Sequence, residues 1–189
     1  MAVLPEMTIV TINQLESFLG EKRLMETAAS HEKVFTDQLE QFALRAADPK
    51  IRAILISGPS ASGKTTTTHR LEDLLKKLGR NPLVLSLDDY YASTAVEYDA
   101  EGRPDFESIC TLALDLIVKD ISAFMRGEEV HIPTFDFMSR SRNYEDHKRC
   151  KLPADGVLLI EGLHALAPEV VGSLPAEQYL SVFLMPHGA

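Results

Sequence analysis

In the first quarter of the chain hydrophobic positions recur at helical spacing. Val34, Phe35, Leu39, Phe42, Ala43 and Ala46 fall on one face of a 3.6-residue repeat, which predicts an amphipathic helix. The pattern changes near Asp48-Pro49, the expected boundary between a helical extension over residues 1–47 and a second domain over 48–189. From Ile51 the run Ile-Arg-Ala-Ile-Leu-Ile-Ser-Gly is short, β-branched and apolar, as a strand buried on both faces requires. Leu71, Leu74, Leu75 and Leu78 return to helical spacing, and Gly79 is placed to end that helix. Residues 82–87, 156–160 and 179–185 read as further strands, and 130–137 as an extended excursion outside their sheet. Residues 105–124 read as a helix with Phe106, Ile109, Ala113, Leu116, Ile117, Ile121 and Phe124 inward. Strands that alternate with helices predict an α/β fold with a mostly parallel sheet, because parallel neighbours need long crossover connections.

Composition narrows the partners. The 189 residues are 45% hydrophobic and 25% charged, enough apolar mass for a sizeable core. A formal charge of -9 argues against a nucleic-acid partner, since phosphate backbones would be repelled over most of the surface. No apolar run approaches the roughly 20 residues that span a bilayer, and no secretory signal pattern opens the chain. The two cysteines, Cys110 and Cys150, show neither disulfide-framework nor zinc spacing, so the expectation is a cytoplasmic protein without a membrane partner. A homo-oligomer stays open, as such assemblies are common.

The chemistry concentrates at the predicted strand ends. Gly58, Pro59, Ser60, Ala61, Ser62, Gly63, Lys64 and Thr65 match the phosphate-loop pattern G-x-x-x-x-G-K-S/T between a strand and a helix, with Thr66 following in the first helical turn. Glycines let main-chain N–H groups converge on phosphate oxygens, and the helix N-terminus favours negative charge. Lys64 is the expected β- and γ-phosphate ligand of ATP, and the Thr65 hydroxyl the expected Mg²⁺ ligand. Asp88 and Asp89 lie just past the second strand, at the edge where open α/β sheets bind ligands. Asp88 is the preferred proton acceptor or metal-associated carboxylate, and Glu161, ending the third strand, the second metal-associated acid. His164 falls near that edge too, although a histidine at a strand end more often packs than reacts.

Five ordered segments carry a resemblance. Gly58 to Thr65, Ser86-Leu-Asp-Asp-Tyr-Tyr91, Asp105-Phe-Glu-Ser108, Pro133-Thr-Phe-Asp-Phe137 and Ile160-Glu-Gly-Leu-His-Ala-Leu166 resemble the uridine kinase family, most nearly its bacterial nucleoside kinases. The resemblance implies a P-loop NTPase three-layer fold, whose lid and last strand would follow the final residue of this chain. It implies phosphorylation of the 5′-hydroxyl of uridine or cytidine from ATP and Mg²⁺, with Lys64 and Asp88 catalytic and Thr65, Asp88 and Glu161 near the metal. Tyr91, Glu107, Phe135 and Phe137 would line the nucleoside pocket; Glu107 stands where many relatives have Asp, and Phe135 where many have Tyr. Arg140 and Arg142 occupy the region where animal members carry a base-contacting His, and their guanidinium groups suit stacking on a base or gripping an anion. Other readings left open are an ATP-binding regulatory module and a kinase for another hydroxylated acceptor, a sugar phosphate or pantothenate.

Overall fold

A computed structural model describes residues 21–92, 98, 102, 105 and 107–185, with side chains from residue 25 onward. Phe106, expected to point inward, lies outside the described residues, as does most of the segment that opens the helical extension. The chain divides into two compact units, Met1–Gln41 and Phe42–Ala189. The first contains most of a long helix, α1 (Glu21–Ala46). Its last turn belongs to the second unit, where Ala43 and Ala46 are buried.

The second unit is built on a four-stranded parallel sheet in the order β2-β5-β1-β6, from β1 (Ala53–Ser57), β2 (Asn81–Ser86), β5 (Gly156–Glu161) and β6 (Tyr179–Phe183). Every residue of the two central strands is buried, which is why their sequences run apolar without alternation. α2 (Lys64–Lys77) lies against β1, β2 and β5 and buries Leu71 and Leu75. On the opposite face Leu55, Leu158, Ile160 and Leu85 pack with Ile117, Ile121 and Phe124 of α3 (Leu114–Met125) and with Val170 of the short α4 (Pro168–Val171). Helix, sheet and helix give the three expected layers. Gly79 ends α2 in the left-handed region (φ 78), and the Arg80 N–H closes the turn on the Leu75 carbonyl.

One expectation needs correction. The helix read over 105–124 begins only at Leu114; before it, Ile109–Thr111 form a 3-10 turn in which the Ser108 hydroxyl accepts from the Cys110 N–H. Leu112 then pairs with Tyr91, and the Ala92 N–H donates to the Thr111 carbonyl, so bridging to the segment just past the turn that follows β2 overrides the local helical spacing. The basic stretch from Arg142 to Lys151 is part of a strand, β4 (Ser141–Lys151), antiparallel to β3 (Glu129–Asp136) in a separate two-stranded sheet.

No helix among the described residues is long and apolar enough to cross a membrane.

Candidate active site at the carboxyl edge of the sheet

Parallel register assembles the site. Glu161 is paired with Ile56 of β1 on one side and Ser86 of β2 on the other. Adjacent strands lie about 4.8 Å apart, so the loop that leaves β1, the acids that follow β2 and Glu161 on β5 meet at one edge.

In the phosphate loop, Ala61 (φ 59) and Gly63 (φ 84) take left-handed conformations that turn successive amides inward. Gly63 caps α2 without a side chain, and no acid occupies the first turn, so the positive end of the helix faces the loop unopposed. The Lys64 ammonium donates to the carbonyls of Gly58 (3.0 Å) and Pro59 (2.9 Å). Ser62 Oγ is buried there without a hydrogen-bond partner in the protein. An uncapped helix start, curled amides, a lysine and an orphan hydroxyl fit a polyphosphate. Thr65 and Thr66 stand at the open end of the helix, while Thr67 and Thr68 are buried against the core. Gly58 permits the close packing: a Cβ on it would run into the Leu184 carbonyl and come within 2.7 Å of Ser62 Oγ. We expect Gly58→Ala to weaken ATP binding at least about tenfold, because backbone atoms of the loop must move to admit the methyl group. Titration calorimetry against the parent protein checks this.

The two adjacent aspartates separate into different roles. Both lie in a 3-10 turn, Leu87–Tyr90, after β2. Asp89 is tied down: its Oδ1 accepts from the Phe135 N–H at 3.2 Å and its Oδ2 faces Lys148 Nζ at 3.3 Å. Asp88 keeps an open face, and burial of its carboxyl raises its pKa, helped by Asp89 and opposed by Lys64 and His164. Glu161 is 6% exposed, and its Oε1 accepts from the Ser86 hydroxyl at 2.7 Å, which fixes the carboxylate at the sheet edge. The donors Thr65, Asp88 and Glu161 are hard oxygens of the kind Mg²⁺ accepts, and Mg²⁺ takes its remaining ligands from water and substrate phosphates.

Next to Asp88 stands an aromatic cluster. The Tyr91 ring lies 5.4 Å from those of both Phe135 and Phe137, and these two are 5.0 Å apart, edge to face. Burial, with the negative charges of Asp88, Glu107 and Asp105 nearby, pushes the Tyr91 hydroxyl up to about 12, so it stays neutral. His164 Nε2 donates to the Glu107 carbonyl at 2.8 Å, joining the loop that carries Glu107 to the end of β5. Arg142 is paired with Phe135 across the hairpin and borders an open groove against residues 112–116. Arg140 is exposed at the hairpin turn (φ 50).

Sequence reasoning missed several supporting residues: Ser86 as the partner of Glu161, Lys148 as the partner of Asp89, and Asp120, which accepts from the buried Tyr90 hydroxyl at 3.1 Å and holds the aspartate turn on α3. Only Ser86 carried a sequence signal, a polar residue at the end of an apolar strand.

The profile of the Phosphoribulokinase / Uridine kinase family matches residues 53–188. The chain is 33% identical to uridine-cytidine kinase 2-B of Danio rerio over 116 residues, covering 57% of this chain and 43% of that protein. It is 34% identical to uridine-cytidine kinase C of Dictyostelium discoideum over 119 residues, covering 61% and 23%. It thus spans less than half the length of these curated relatives. In fold it is similar to a possible uridine kinase from Bacillus stearothermophilus, with a TM-score of 0.64 at 18% identity over 81% of this chain and 80% of that one. With most of its described second unit matched by that profile, the chain belongs to the phosphoribulokinase and uridine kinase family.

Proposed function

We propose that this chain carries the catalytic core of a kinase that moves the γ-phosphoryl group of ATP, with Mg²⁺, to the 5′-hydroxyl of a pyrimidine nucleoside, uridine or cytidine. The observation that supports it best is the convergence of phosphate loop, Asp88 and Glu161 on one sheet edge beside the ring cluster of Tyr91, Phe135 and Phe137.

Lys64 and the loop amides hold the phosphates, and Thr65, Asp88 and Glu161 would hold the metal, directly or through water. Mg²⁺ supplies neutralisation of the phosphate charge. The aromatic cluster receives the base, Glu107 the sugar hydroxyls, and Arg140 and Arg142 the far side of the ring. Asp88 takes the proton of the acceptor hydroxyl as its oxygen bonds to phosphorus and the bond to the ADP leaving group breaks. Phenylalanine at positions 135 and 137 offers no hydrogen bond to the base, so discrimination falls to the arginines and the loop around Glu107.

A coupled ADP-release assay with uridine, cytidine, a sugar phosphate, pantothenate and no acceptor tests the reading. We expect turnover that needs a pyrimidine nucleoside. Turnover driven by the sugar phosphate would assign the arginines to an acceptor phosphate, and ATP binding with no turnover for any acceptor would make the chain a nucleotide-binding module.

A further inference from the structure

The proposed chemistry uses Asp88 and leaves its neighbour without a step, yet Asp89 joins the end of β2 to both strands of the β3–β4 hairpin. One carboxylate oxygen receives the main-chain N–H of Phe135 on β3, and the other faces the ammonium of Lys148 on β4. Lys148 in turn reaches the Pro133 carbonyl at 3.5 Å, so both strands of the hairpin are fastened to the turn that carries Asp88. The side chains of the pair are 28% and 26% exposed, sheltered enough for solvent and salt to screen them less than a surface pair.

The hairpin needs such a fastening. Its register shifts between His131 and Pro133: His131 pairs with Arg149, whereas Pro133 pairs with Tyr144. The ladder therefore breaks just before Phe135 and Phe137, and the irregular stretch of β4 that the break creates contains Lys148. Bulges of this kind re-aim a side chain, here toward Asp89. Beyond the break, the Asp89 contacts and the ring packing on Tyr91 fasten the hairpin to the segment that follows β2.

We propose that Asp89 and Lys148 form a latch that sets where Phe135 and Phe137 stand relative to Tyr91, and so governs affinity for the acceptor ring without touching the nucleotide end of the site. This rests on reading the aromatic cluster as the acceptor wall. Asp89 is a positioning residue, since it acts through Phe135.

Three variants, Asp89→Ala, Asp89→Asn and Lys148→Met, test the latch by steady-state kinetics in each substrate separately and by hydrogen exchange of the ligand-free protein. Asp89→Ala should raise the acceptor KM about tenfold while kcat and the ATP KM stay within about twofold. Asp89→Asn keeps the acceptor for the Phe135 N–H and should fall between it and the parent. Lys148→Met should move the same parameter less, and the double variant should be no worse than Asp89→Ala alone. Exchange of the Phe135 amide should speed up in Asp89→Ala while that of Leu159, deep in β5, does not change. Equal shifts in both KM values, or an unaltered Phe135 amide, would overturn the latch. If the parent protein shows no acceptor-dependent turnover, the kinase reading fails, and Phe135 exchange still decides whether the latch exists.

Discussion

Asp88→Asn should retain ATP and acceptor affinity but lose turnover by about 100- to 10,000-fold, the usual contribution of a positioned general base. Asparagine keeps the shape of the side chain but gives up its ability to take a proton and the negative charge it would offer the metal, for which Thr65 and Glu161 remain. Asp89 cannot substitute for it, because both of its oxygens are already engaged by Phe135 and Lys148. The pH profile adds a second readout. Burial and Asp89 raise the Asp88 pKa, while Lys64 and His164 act against them. The base must be ionised to work, so kcat/KM should rise with pH through a value above that of an ordinary aspartate. That acid limb should vanish in Asp88→Asn. Lys64→Met, which removes an opposing positive charge, should move the limb in the residual activity further toward alkaline pH. Unchanged turnover in Asp88→Asn would remove Asp88 from the mechanism.

The parts of this site that local sequence could reveal are those whose chemistry is local. The phosphate loop is contiguous, so its glycines, lysine and threonine announce themselves between an apolar strand and a leucine-patterned helix. β1 and β5 announce themselves because burial on both faces leaves them nearly free of polar residues. β4 carries no such mark: most of its residues are polar and exposed, so neither alternation nor an apolar run distinguishes it from a loop. The helical spacing over 105–124 overstates the helix, because Ile109, Ala113 and Leu116 satisfy it while the backbone around Thr111 and Leu112 is claimed by Tyr91 and Ala92. The division of labour between Asp88 and Asp89 depends on a lysine 59 residues from Asp89, which no spacing rule reaches.

Arg80 shows the same limit in the scaffold, and its replacement should produce the largest loss of stability. It is a single arginine just after a helix, where charged side chains are usually solvated, yet it is 6% exposed. Its guanidinium donates to the carbonyls of Asp48 (2.6 Å), Ile51 (2.7 Å), Asp155 (2.9 Å), Ala47 (3.1 Å), Gly156 (3.3 Å) and Ala46 (3.4 Å). It thereby caps the C-terminal end of α1, where the helix dipole is negative, and ties that end to the starts of β2 and β5. Burial and the nearby Arg52 lower its pKa from a value so high that the group stays charged. Arg80→Met fills similar space but leaves those carbonyls without a donor. It should cost about 3–5 kcal/mol, a large share of the 5–15 kcal/mol typical of a domain, and lower Tm by roughly 6–20 °C. Arg80→Lys, a point charge with fewer donors and no planar fork, should recover only part of that loss. Urea and thermal unfolding check both. Since Arg80 stands at the amino ends of the strands, away from the phosphate loop, the folded fraction of Arg80→Met should bind ATP with unchanged affinity; a loss below about 1 kcal/mol would show that water replaces the guanidinium at little cost.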